Sequence, residues 1–384
     1  MLLNQRATDL KQGAIRAMFD RAANYPDAIN LGIGEPETDT PKPIIEAGIA
    51  ALEHGKTHYT PNAGIRPLRE RIAKHLCERG MQYSFDEVII TAGGMGALAN
   101  ILMVVIESGD EVLIQDPQWL NYASQIRFFG GKPKCVKVTE ENGYRLCAAD
   151  LERAITKRTK LVMLNSPNNP TGAVLTSDGL AAIADVIRRH DLYVISDEVY
   201  STILFDGAVH HSIAEQPGMK ERCIIVNSFS KAFAMTGWRV GYAAGPSYLI
   251  DKLTKLQENT LACVAAVSQY AALESFHYSE YSVAFAKDYE QRRDYVLTRL
   301  NAIDGISCGK PGGTFYVFPN VSSLGADAVT VANELLEKAG VITVPGSGFG
   351  EAGEGHLRLS LANSTKNIEK AMDRIERYAK SRRM

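Results

Sequence analysis

The chain has 384 residues, of which 45% are apolar and 22% charged, and its formal net charge is -2. The length suffices for a large core and two domains, and the composition is ordinary for a globular protein. A charge so close to zero provides no basic surface for nucleic acid or an anionic membrane, so we expect neither partner.

The cysteines and the N-terminus indicate a cytoplasmic protein. Six cysteines are scattered along the chain without a C-x-x-C pair, a spacing that indicates neither a zinc site nor a disulfide framework. Residues 1–19 lack the apolar core of a signal peptide. The longest apolar run, at 96–106, is too short to span a bilayer. We therefore expect reduced thiols, a cytoplasmic location and no bound metal.

Between residues 85 and 245, short β-rich runs alternate with helical patterns. The predicted strands are 87–91, 111–115, 134–138, 160–164, 192–196, 223–227 and 239–243. The predicted helices between them are 96–106, 119–129, 149–155 and 177–190. Alternation of this kind predicts an α/β fold in which a seven-stranded, mostly parallel sheet lies between helices.

The remainder of the chain has a different pattern. A long helical stretch runs from 248 to about 300, with a predicted break near His277. The strands predicted after it are 312–318, 341–344 and 356–360, with helices at 327–339 and 366–380. These elements predict a smaller α+β unit, against which residues 1–30 are expected to pack. The expected organisation is an N-terminal segment at 1–35, a large domain at 36–285 and a small α+β domain at 286–384.

Five clusters of glycine, aromatic or polar residues directly follow predicted strands. The carboxyl ends of parallel strands meet at one edge of a sheet, where open α/β proteins bind their ligands. We therefore expect these clusters to form a single site. They are Gly93-Gly94-Met95-Gly96, Trp119, the segment 165–172, Asp197-Glu198-Val199-Tyr200, and Ser228 with Lys231.

The glycine cluster is compatible with three interpretations. Glycines that open a helix present free backbone N–H groups to an anion. The pattern Gly94-x-Gly96-x-x-Ala99 also matches a dinucleotide-binding fingerprint, with Asp116 as the acidic residue that follows it. A tight turn without any ligand explains the glycines equally well, so they leave the ligand open.

Lys231 narrows the choice of ligand. A lysine amine condenses with a carbonyl group to form a Schiff base. The nearby hydroxyl of Ser228 and guanidinium of Arg239 can together hold an anion. Pyridoxal 5'-phosphate (PLP) carries both an aldehyde and a phosphate. A solvated lysine, with a pKa of about 10.4, is a poor nucleophile, so this function requires a desolvated or cationic environment.

Other residues at the predicted sheet edge can serve the same ligand. The Asp197 carboxylate can pair with a protonated ring nitrogen, although a lone aspartate is more often a helix N-cap. Trp119 can stack on a heteroaromatic ring or pack in the core. Asn169 can donate to a phenolic oxygen or simply shape a turn. Arg358 can clamp a carboxylate through two hydrogen bonds, or it can be a structural arginine.

In this order the clusters resemble the class I aminotransferases, PLP enzymes of fold type I, and in particular their bacterial aspartate and broad-range branch. The resemblance extends from Leu31-Gly32-Ile33-Gly34-Glu35-Pro36 to Arg358. Its most specific motifs are 165–172 and 228–239. It favours PLP over a nicotinamide cofactor, which would leave Lys231 without a role.

The resemblance implies a role for each matching residue. The implied catalytic residues are Lys231 as the Schiff-base lysine and general base, Asp197 as the partner of the ring nitrogen, and Tyr200. The implied cofactor contacts are Gly94, Met95, Trp119, Asn169, Asp197, Tyr200, Ser228, Lys231, Arg239 and Tyr59. The implied substrate contacts are Gly34, Trp119, Asn169 and Arg358. Because the tyrosine matched by Tyr59 reaches the phosphate of the other subunit, the resemblance also implies a homodimer.

The implied reaction is ping-pong transfer of an amino group from an L-amino acid to a 2-oxo acid. Aspartate-preferring relatives often carry a lysine at the position of Met95, and the segment Gly13-Ala14-Ile15-Arg16 is more similar to members that act on aromatic, alanine-like or larger substrates. Aspartate:2-oxoglutarate transfer, with Arg16 meeting the second carboxylate, is one alternative. A C–S β-lyase is another. A PLP-sensing regulator would require a DNA-binding segment before residue 10, and none is expected.

Overall fold

The structure, a computed structural model, describes residues 4–10 and 12–383. The strands are β1 (Ile29–Asn30), β2 (Val88–Thr91), β3 (Glu111–Asp116), β4 (Lys132–Lys137), β5 (Thr159–Asn165), β6 (Tyr193–Asp197), β7 (Cys223–Ser228), β8 (Gly241–Ala244), β9 (Tyr316–Val317), β10 (Val341–Ile342), β11 (Val344–Pro345) and β12 (Leu357–Ser360). The helices are α1 (Gln5–Thr8), α2 (Ala14–Ala22), α3 (Lys42–Glu53), α4 (Arg66–Glu78), α5 (Gly93–Val105), α6 (Asn121–Phe128), α7 (Ala148–Ala154), α8 (Ser177–Arg189), α9 (Phe229–Ala232), α10 (Ser247–Thr260), α11 (Ala266–Ser275), α12 (Ser279–Asn301), α13 (Ala328–Glu334) and α14 (Thr365–Arg383).

Seven of the strands form one sheet in the order β2-β8-β7-β6-β5-β3-β4. β4, β3, β5, β6 and β7 pair in parallel, whereas β8 runs antiparallel to both of its neighbours. The predicted α/β fold with a mostly parallel seven-stranded sheet is therefore confirmed. Each end of the seven strands predicted for this sheet lies within two residues of the observed end.

Helices cover both faces of this sheet because its strands are apolar on both sides. In β5, Leu161 and Met163 pack in one core with α5, α6 and α10, whereas Val162 and Leu164 pack in another with α4 and α8. Side chains alternate between faces along a strand, so an uninterrupted apolar run fills two cores. The carboxyl edge of the sheet is left for the loops that carry polar residues.

A smaller part of the chain contains a three-stranded sheet in the order β11-β12-β9 and a parallel pair, β1 with β10. The single strand predicted at 341–344 is wrong: β10 and β11 belong to different sheets. The N-terminal segment contributes β1, which pairs with β10 of the C-terminal part. Met18 and Ala22 pack in the same apolar cluster as α14, which confirms that the N-terminal segment packs here.

The strand predicted at 312–318 is shorter, because its first residues bond to loops of the large sheet. Phe205 donates its backbone N–H to Gly312 O at 3.0 Å, and Thr314 donates to Ile203 O at 2.9 Å. The helical stretch predicted from 248 breaks near His277, as expected, and also after α10, where Ala262 has a φ of 64°. In the described part of the chain, no helix combines the length and apolarity needed to cross a bilayer.

Candidate functional site

A cavity of about 530 Å³ opens at the carboxyl edge of the seven-stranded sheet. This volume lies within the usual range for a small-molecule site. Each residue predicted for the site lines the cavity, with the exception of Tyr59. Those lining it are Gly34, Gly94, Met95, Trp119, Asn169, Asp197, Tyr200, Ser228, Lys231, Arg239 and Arg358. The clusters that follow separate strands are thus brought together in one place.

Lys231 lies in the short helix α9, directly after β7, and its Nζ donates a 2.5 Å hydrogen bond to the backbone oxygen of Gly34. Burial, opposed by the charge of Glu35 and assisted by the positive charges of Arg358 and Arg239, lowers the pKa of this amine to about 8. A larger fraction of the amine is therefore uncharged at neutral pH than in a solvated lysine, which increases its nucleophilicity.

Asp197 ends β6 and is buried. Its Oδ2 accepts a 2.5 Å hydrogen bond from the Tyr122 hydroxyl, and its Oδ1 accepts one from the Val199 N–H at 3.3 Å. Burial raises the pKa of this carboxyl to about 6, against the lowering effect of these hydrogen bonds. Within residues 4–10 and 12–383, no cation forms an ion pair with it, and no helix follows it to be capped. The carboxylate is therefore well suited to a cationic ligand atom.

The N-terminus of α5 points its first residues into the cavity. No side chain caps this helix, which begins at Gly93, and both Gly94 and Met95 line the cavity. β8 packs closely against the same turn, since a Cβ at Gly241 would lie 2.9 Å from the Gly94 nitrogen. Uncapped N–H groups at a helix N-terminus form an anion-binding site.

Two hydroxyls and a guanidinium lie beside this helix end. Ser228 Oγ donates to Ser230 Oγ at 2.8 Å, and both side chains line the cavity. Arg239 has a φ of 52° and donates from its Nη2 to the Ala92 oxygen at 3.3 Å. Its guanidinium has no carboxylate partner among the described residues. The combination of these groups with the helix N-terminus can hold a phosphate.

Arg358 is a buried cation that forms no ion pair with any residue the structure describes. It is 1% exposed, and its guanidinium donates to Asn169 Oδ1 at 3.0 Å and to the Gly32 oxygen at 2.6 Å. Its Nε makes no hydrogen bond within the part of the chain that the structure describes. An unpaired buried charge is costly, so the arrangement calls for an anionic ligand in the cavity.

Aromatic side chains complete the cavity wall. The rings of Trp119 and Tyr122 meet edge to face, with centroids 5.3 Å apart. The Tyr200 hydroxyl lies 3.2 Å from the Tyr316 hydroxyl, and the ring of Tyr316 lies 4.3 Å from the guanidinium carbon of Arg358. A Cβ at Gly34 would collide with the Tyr316 hydroxyl, which explains the glycine there.

The residues that line this cavity but received no individual role from the sequence include Tyr122, Asn165, Ser230 and Tyr316. Tyr122 follows Trp119 by one helical turn, a spacing that could have placed it on the same face. Asn165 is the last residue of β5, and Ser230 lies inside the motif already singled out. Tyr316 pairs with Ser360 across the small sheet, a long-range contact for which the sequence has no local signal.

Tyr59 lies outside the cavity. Its side chain belongs to the loop between α3 and α4 and is 90% exposed.

Comparisons with known proteins agree on one family. The family model described as Aminotransferase class I and II matches residues 26–375. An aspartate aminotransferase of Pyrococcus abyssi is 41% identical over 389 residues, and an aromatic-amino-acid aminotransferase of Thermococcus litoralis is 40% identical over 389 residues; both alignments cover 100% of each chain. The crystal structure of an aromatic aminotransferase from Pyrococcus horikoshii superimposes with a TM-score of 0.91, at 42% identity, over 95% of this chain and 99% of that chain.

The cavity fits the cofactor of this family. PLP presents an aldehyde, a basic ring nitrogen and a phosphate, and the cavity offers an amine at Lys231, a buried carboxyl at Asp197 and the uncapped start of α5. The nicotinamide interpretation of the glycine cluster is wrong, and so is that of a regulator without turnover. The chain belongs to the class I and II aminotransferases and is a PLP-dependent enzyme that transfers an amino group between an amino acid and a 2-oxo acid.

Proposed function

We propose that Lys231, Asp197 and Tyr200 are the catalytic residues of this aminotransferase. PLP, when bound, supplies an aldehyde for Lys231 and an electron-withdrawing ring for the substrate α-carbon. The residues proposed to hold it are Gly94 and Met95 with their backbone N–H groups, Ser228 and Arg239 at the phosphate, Trp119 against the ring, and Asn169 and Tyr200 at the phenolic oxygen. The observation that carries this proposal is the convergence of an amine, a lone carboxyl and an uncapped helix in one cavity.

Lys231 is proposed to act twice, first as the covalent attachment point and then, once released, as a general base. In the second role its Nζ removes a proton from the substrate α-carbon and delivers it to the carbonyl carbon of the cofactor. A pKa lowered to about 8 by burial supports this role, since the base is then partly uncharged at neutral pH. The hydrogen bond that Nζ donates to Gly34 O supports this role, because it holds the amine inside the cavity.

Asp197 and Tyr200 are proposed to control charge on the ring. The Asp197 carboxylate holds the proton on the ring nitrogen, and the Tyr122 hydroxyl keeps that carboxylate oriented. Tyr200 would donate from its hydroxyl to the phenolic oxygen; in the structure this hydroxyl lies 3.2 Å from that of Tyr316. Both functions depend on water being excluded, and both residues are buried.

Gly34, Asn169, Trp119 and Arg358 are proposed to bind the substrate. Arg358 would hold the α-carboxylate in a forked pair of hydrogen bonds, which supplies the counter-ion that this buried cation lacks. Asn169 accepts from Arg358 at 3.0 Å and so links the carboxylate site to the cofactor site.

We infer that the preferred amino donors have apolar side chains, including aromatic ones. The part of the cavity formed by α2 and the start of α6 is lined by Ile15, Phe19 and Leu120, and Met95 occupies the start of α5. The Met95 sulfur accepts one weak hydrogen bond from Asn121 and one from Gln125, and its side chain carries no positive charge. An apolar wall favours apolar side chains through the area that binding removes from water.

One observation favours aspartate as a second candidate donor. Arg16 also lines the cavity, and its guanidinium could meet a second carboxylate. It is paired with Asp20 at 3.0 Å, however, and its side chain is 75% exposed, so an aspartate substrate would have to compete for it.

A half-reaction panel tests this proposal. The PLP form of the enzyme is mixed with each amino acid in turn, and the rate at which the visible absorbance of the cofactor disappears is ranked. We expect phenylalanine, tyrosine and leucine to react faster than aspartate in the parent and in Arg16→Gln. Aspartate as the fastest donor, with a rate that falls in Arg16→Gln, would establish the second candidate. Release of pyruvate and ammonia from a cysteine conjugate without a 2-oxo acid would instead identify a β-lyase.

We also infer a homodimer in which Tyr59 reaches the phosphate site of the other subunit. Its 90% exposure in the single chain supports this, as do the exposed apolar side chains of Ile49, Leu52 and Leu261. Light scattering gives the mass in solution. In mixed dimers, Tyr59→Phe should weaken PLP binding only in the sites that receive the altered residue.

The proposed domains are 1–35, 36–285 and 286–384, and the second boundary falls within α12. Lys231 then belongs to the large domain and Arg358 to the small one, so substrate binding would couple to closure of the two domains.

A cytoplasmic location is inferred from the scattered cysteines.

A further inference from the structure

Asp116 is a buried carboxylate that the proposed mechanism does not use. It ends β3, is 5% exposed and was the acidic residue of the apparent dinucleotide fingerprint. In the structure its Oδ1 accepts a hydrogen bond from the Ala352 N–H at 3.2 Å, and the Glu351 N–H also bonds to the carboxylate. Both donors belong to the loop between β11 and β12, so Asp116 ties the large sheet to the small one.

The contact is shaped for this carboxylate. Gly350 lies against Asp116 with a φ of 133°, and a Cβ at that glycine would collide with the Asp116 oxygens. A third hydrogen bond lies alongside, where the Gln118 N–H donates to the Phe349 oxygen at 2.8 Å. Three backbone groups of one loop thus bond to the residues that end and follow β3.

This loop packs against the arginine of the proposed carboxylate site. Phe349, which is 1% exposed, has its ring centroid 4.9 Å from the guanidinium carbon of Arg358. The ring of Tyr316 lies 4.3 Å from the same carbon. The guanidinium is therefore held by two aromatic rings, and a shift of the loop that carries Phe349 would shift it.

We propose that Asp116 is a positioning residue for Arg358. It fixes the loop 349–352, and Phe349 of that loop in turn holds the Arg358 guanidinium where the substrate carboxylate binds. This inference rests on the proposed role of Arg358. Asp116 itself does not touch the substrate; it fixes the loop by accepting two backbone N–H groups, a task for which an ionised carboxylate is better suited than an amide.

The test compares Asp116→Asn and Asp116→Ala with a matched control, Asp206→Asn, in the PLP-loaded enzyme. Asp206 also joins the two parts of the chain, through a 2.7 Å ion pair with Arg293 and a 2.6 Å pair with Lys310, but it lies outside the cavity. Steady-state kinetics use the best donor of the half-reaction panel. Binding is measured for 3-phenylpropionate, which carries a carboxylate, and for 3-phenylpropan-1-ol, which does not.

We expect each Asp116 variant to raise KM and the Kd of 3-phenylpropionate by about tenfold, with kcat within about threefold of the parent and binding of the alcohol unchanged. Backbone amide exchange at Glu351 and Ala352 should accelerate in the same variants. Asp206→Asn should lower the melting temperature and leave KM unchanged. Because Asp116 acts through Phe349, Asp116→Asn combined with Phe349→Leu should raise KM less than the product of the single effects.

Three results would overturn the proposal. The first is a Kd for 3-phenylpropionate that is unchanged in both Asp116 variants although Arg358→Lys raises it at least tenfold. In that case the proposed role of Arg358 stands and only the role of Asp116 fails. Another is multiplicative KM effects in the double variant. The third is an Arg358→Lys enzyme with the parental Kd for 3-phenylpropionate, which would remove the carboxylate site itself and the proposal with it.

Discussion

The Tyr122 hydroxyl donates a 2.5 Å hydrogen bond to Asp197 Oδ2, and both groups are buried beneath the cavity. This bond is the strongest of the effects that lower the pKa of Asp197 against its burial. A buried carboxylate that lacks a cation depends on such donors to remain ionised, and it must be ionised to hold a ring nitrogen in its protonated form.

Removal of that donor should weaken cofactor binding. In Tyr122→Phe the pKa of Asp197 rises, so less of the carboxylate is charged at neutral pH and the ring nitrogen is held less firmly. We expect the Kd for PLP, measured by fluorescence titration of the apoenzyme, to rise by about tenfold, in line with the loss of one hydrogen bond to a charged group. Tyr193→Phe, which alters a partly buried tyrosine outside the cavity, is the control and should leave this Kd unchanged.

Replacement of Asp197 should stabilise the apoenzyme while it impairs the holoenzyme. Its folded pKa of about 6 exceeds the ordinary value of 3.8, so the folded state binds more protons between these values and loses stability as pH rises through the window. Apo Asp197→Asn should therefore exceed the parent in unfolding free energy by roughly 1–3 kcal/mol above pH 6, with no gain below about pH 4. Urea unfolding across this range measures the difference. A gain in unfolding free energy that does not depend on pH would contradict the raised pKa of Asp197.

The rate at which apoenzyme recovers its cofactor should depend on the charge of Lys231. Burial lowers the pKa of this amine to about 8, and only the uncharged amine attacks an aldehyde. Stopped-flow absorbance should show the covalent step with PLP accelerating as pH rises towards 8 and levelling off above it. A rate that continues to climb to pH 10 would indicate an amine with an ordinary pKa.

A single substitution at the start of α5 should alter the choice of donor. Met95→Lys introduces a positive charge into the apolar wall, where it can pair with a distal carboxylate. We expect kcat/KM for aspartate to rise by about tenfold relative to that for phenylalanine, as one new charge-assisted hydrogen bond implies. Met95→Leu keeps the wall apolar and should leave the ratio unchanged. Equal ratios in the two variants would mean that residue 95 does not face the substrate side chain.

The fold could be predicted where its signals are local. The strands of the large sheet are apolar runs flanked by helical periodicity, as β5 illustrates, and each could be recognised without knowledge of its neighbours. The small sheets could not, because β1 and β10 have two residues each and form only by pairing with each other across the chain. A run such as 341–344 carries no sign that it serves two sheets.

The residues of the candidate site likewise divide into those that could be placed from the sequence and those that could not. Lys231, Asp197 and Asn169 end or follow strands of one sheet, so sheet geometry alone brings them together. Tyr316 approaches Tyr200 only after the small sheet packs on the large one, and no sequence pattern reports that contact. Asp116 satisfied the spacing of a dinucleotide fingerprint, but in the structure its carboxylate bonds to a loop of the chain itself.

The central claim, that Lys231 moves the substrate proton, is tested most directly by a single turnover of Lys231→Ala. The variant is loaded with PLP and mixed with the best donor of the panel, and the rate constant for loss of the cofactor's visible absorbance is compared with that of the parent. We expect a rate constant lower by roughly 10²–10⁴-fold, the usual contribution of a general base, while the donor still binds. A rate constant within tenfold of the parental value would show that another group moves the proton.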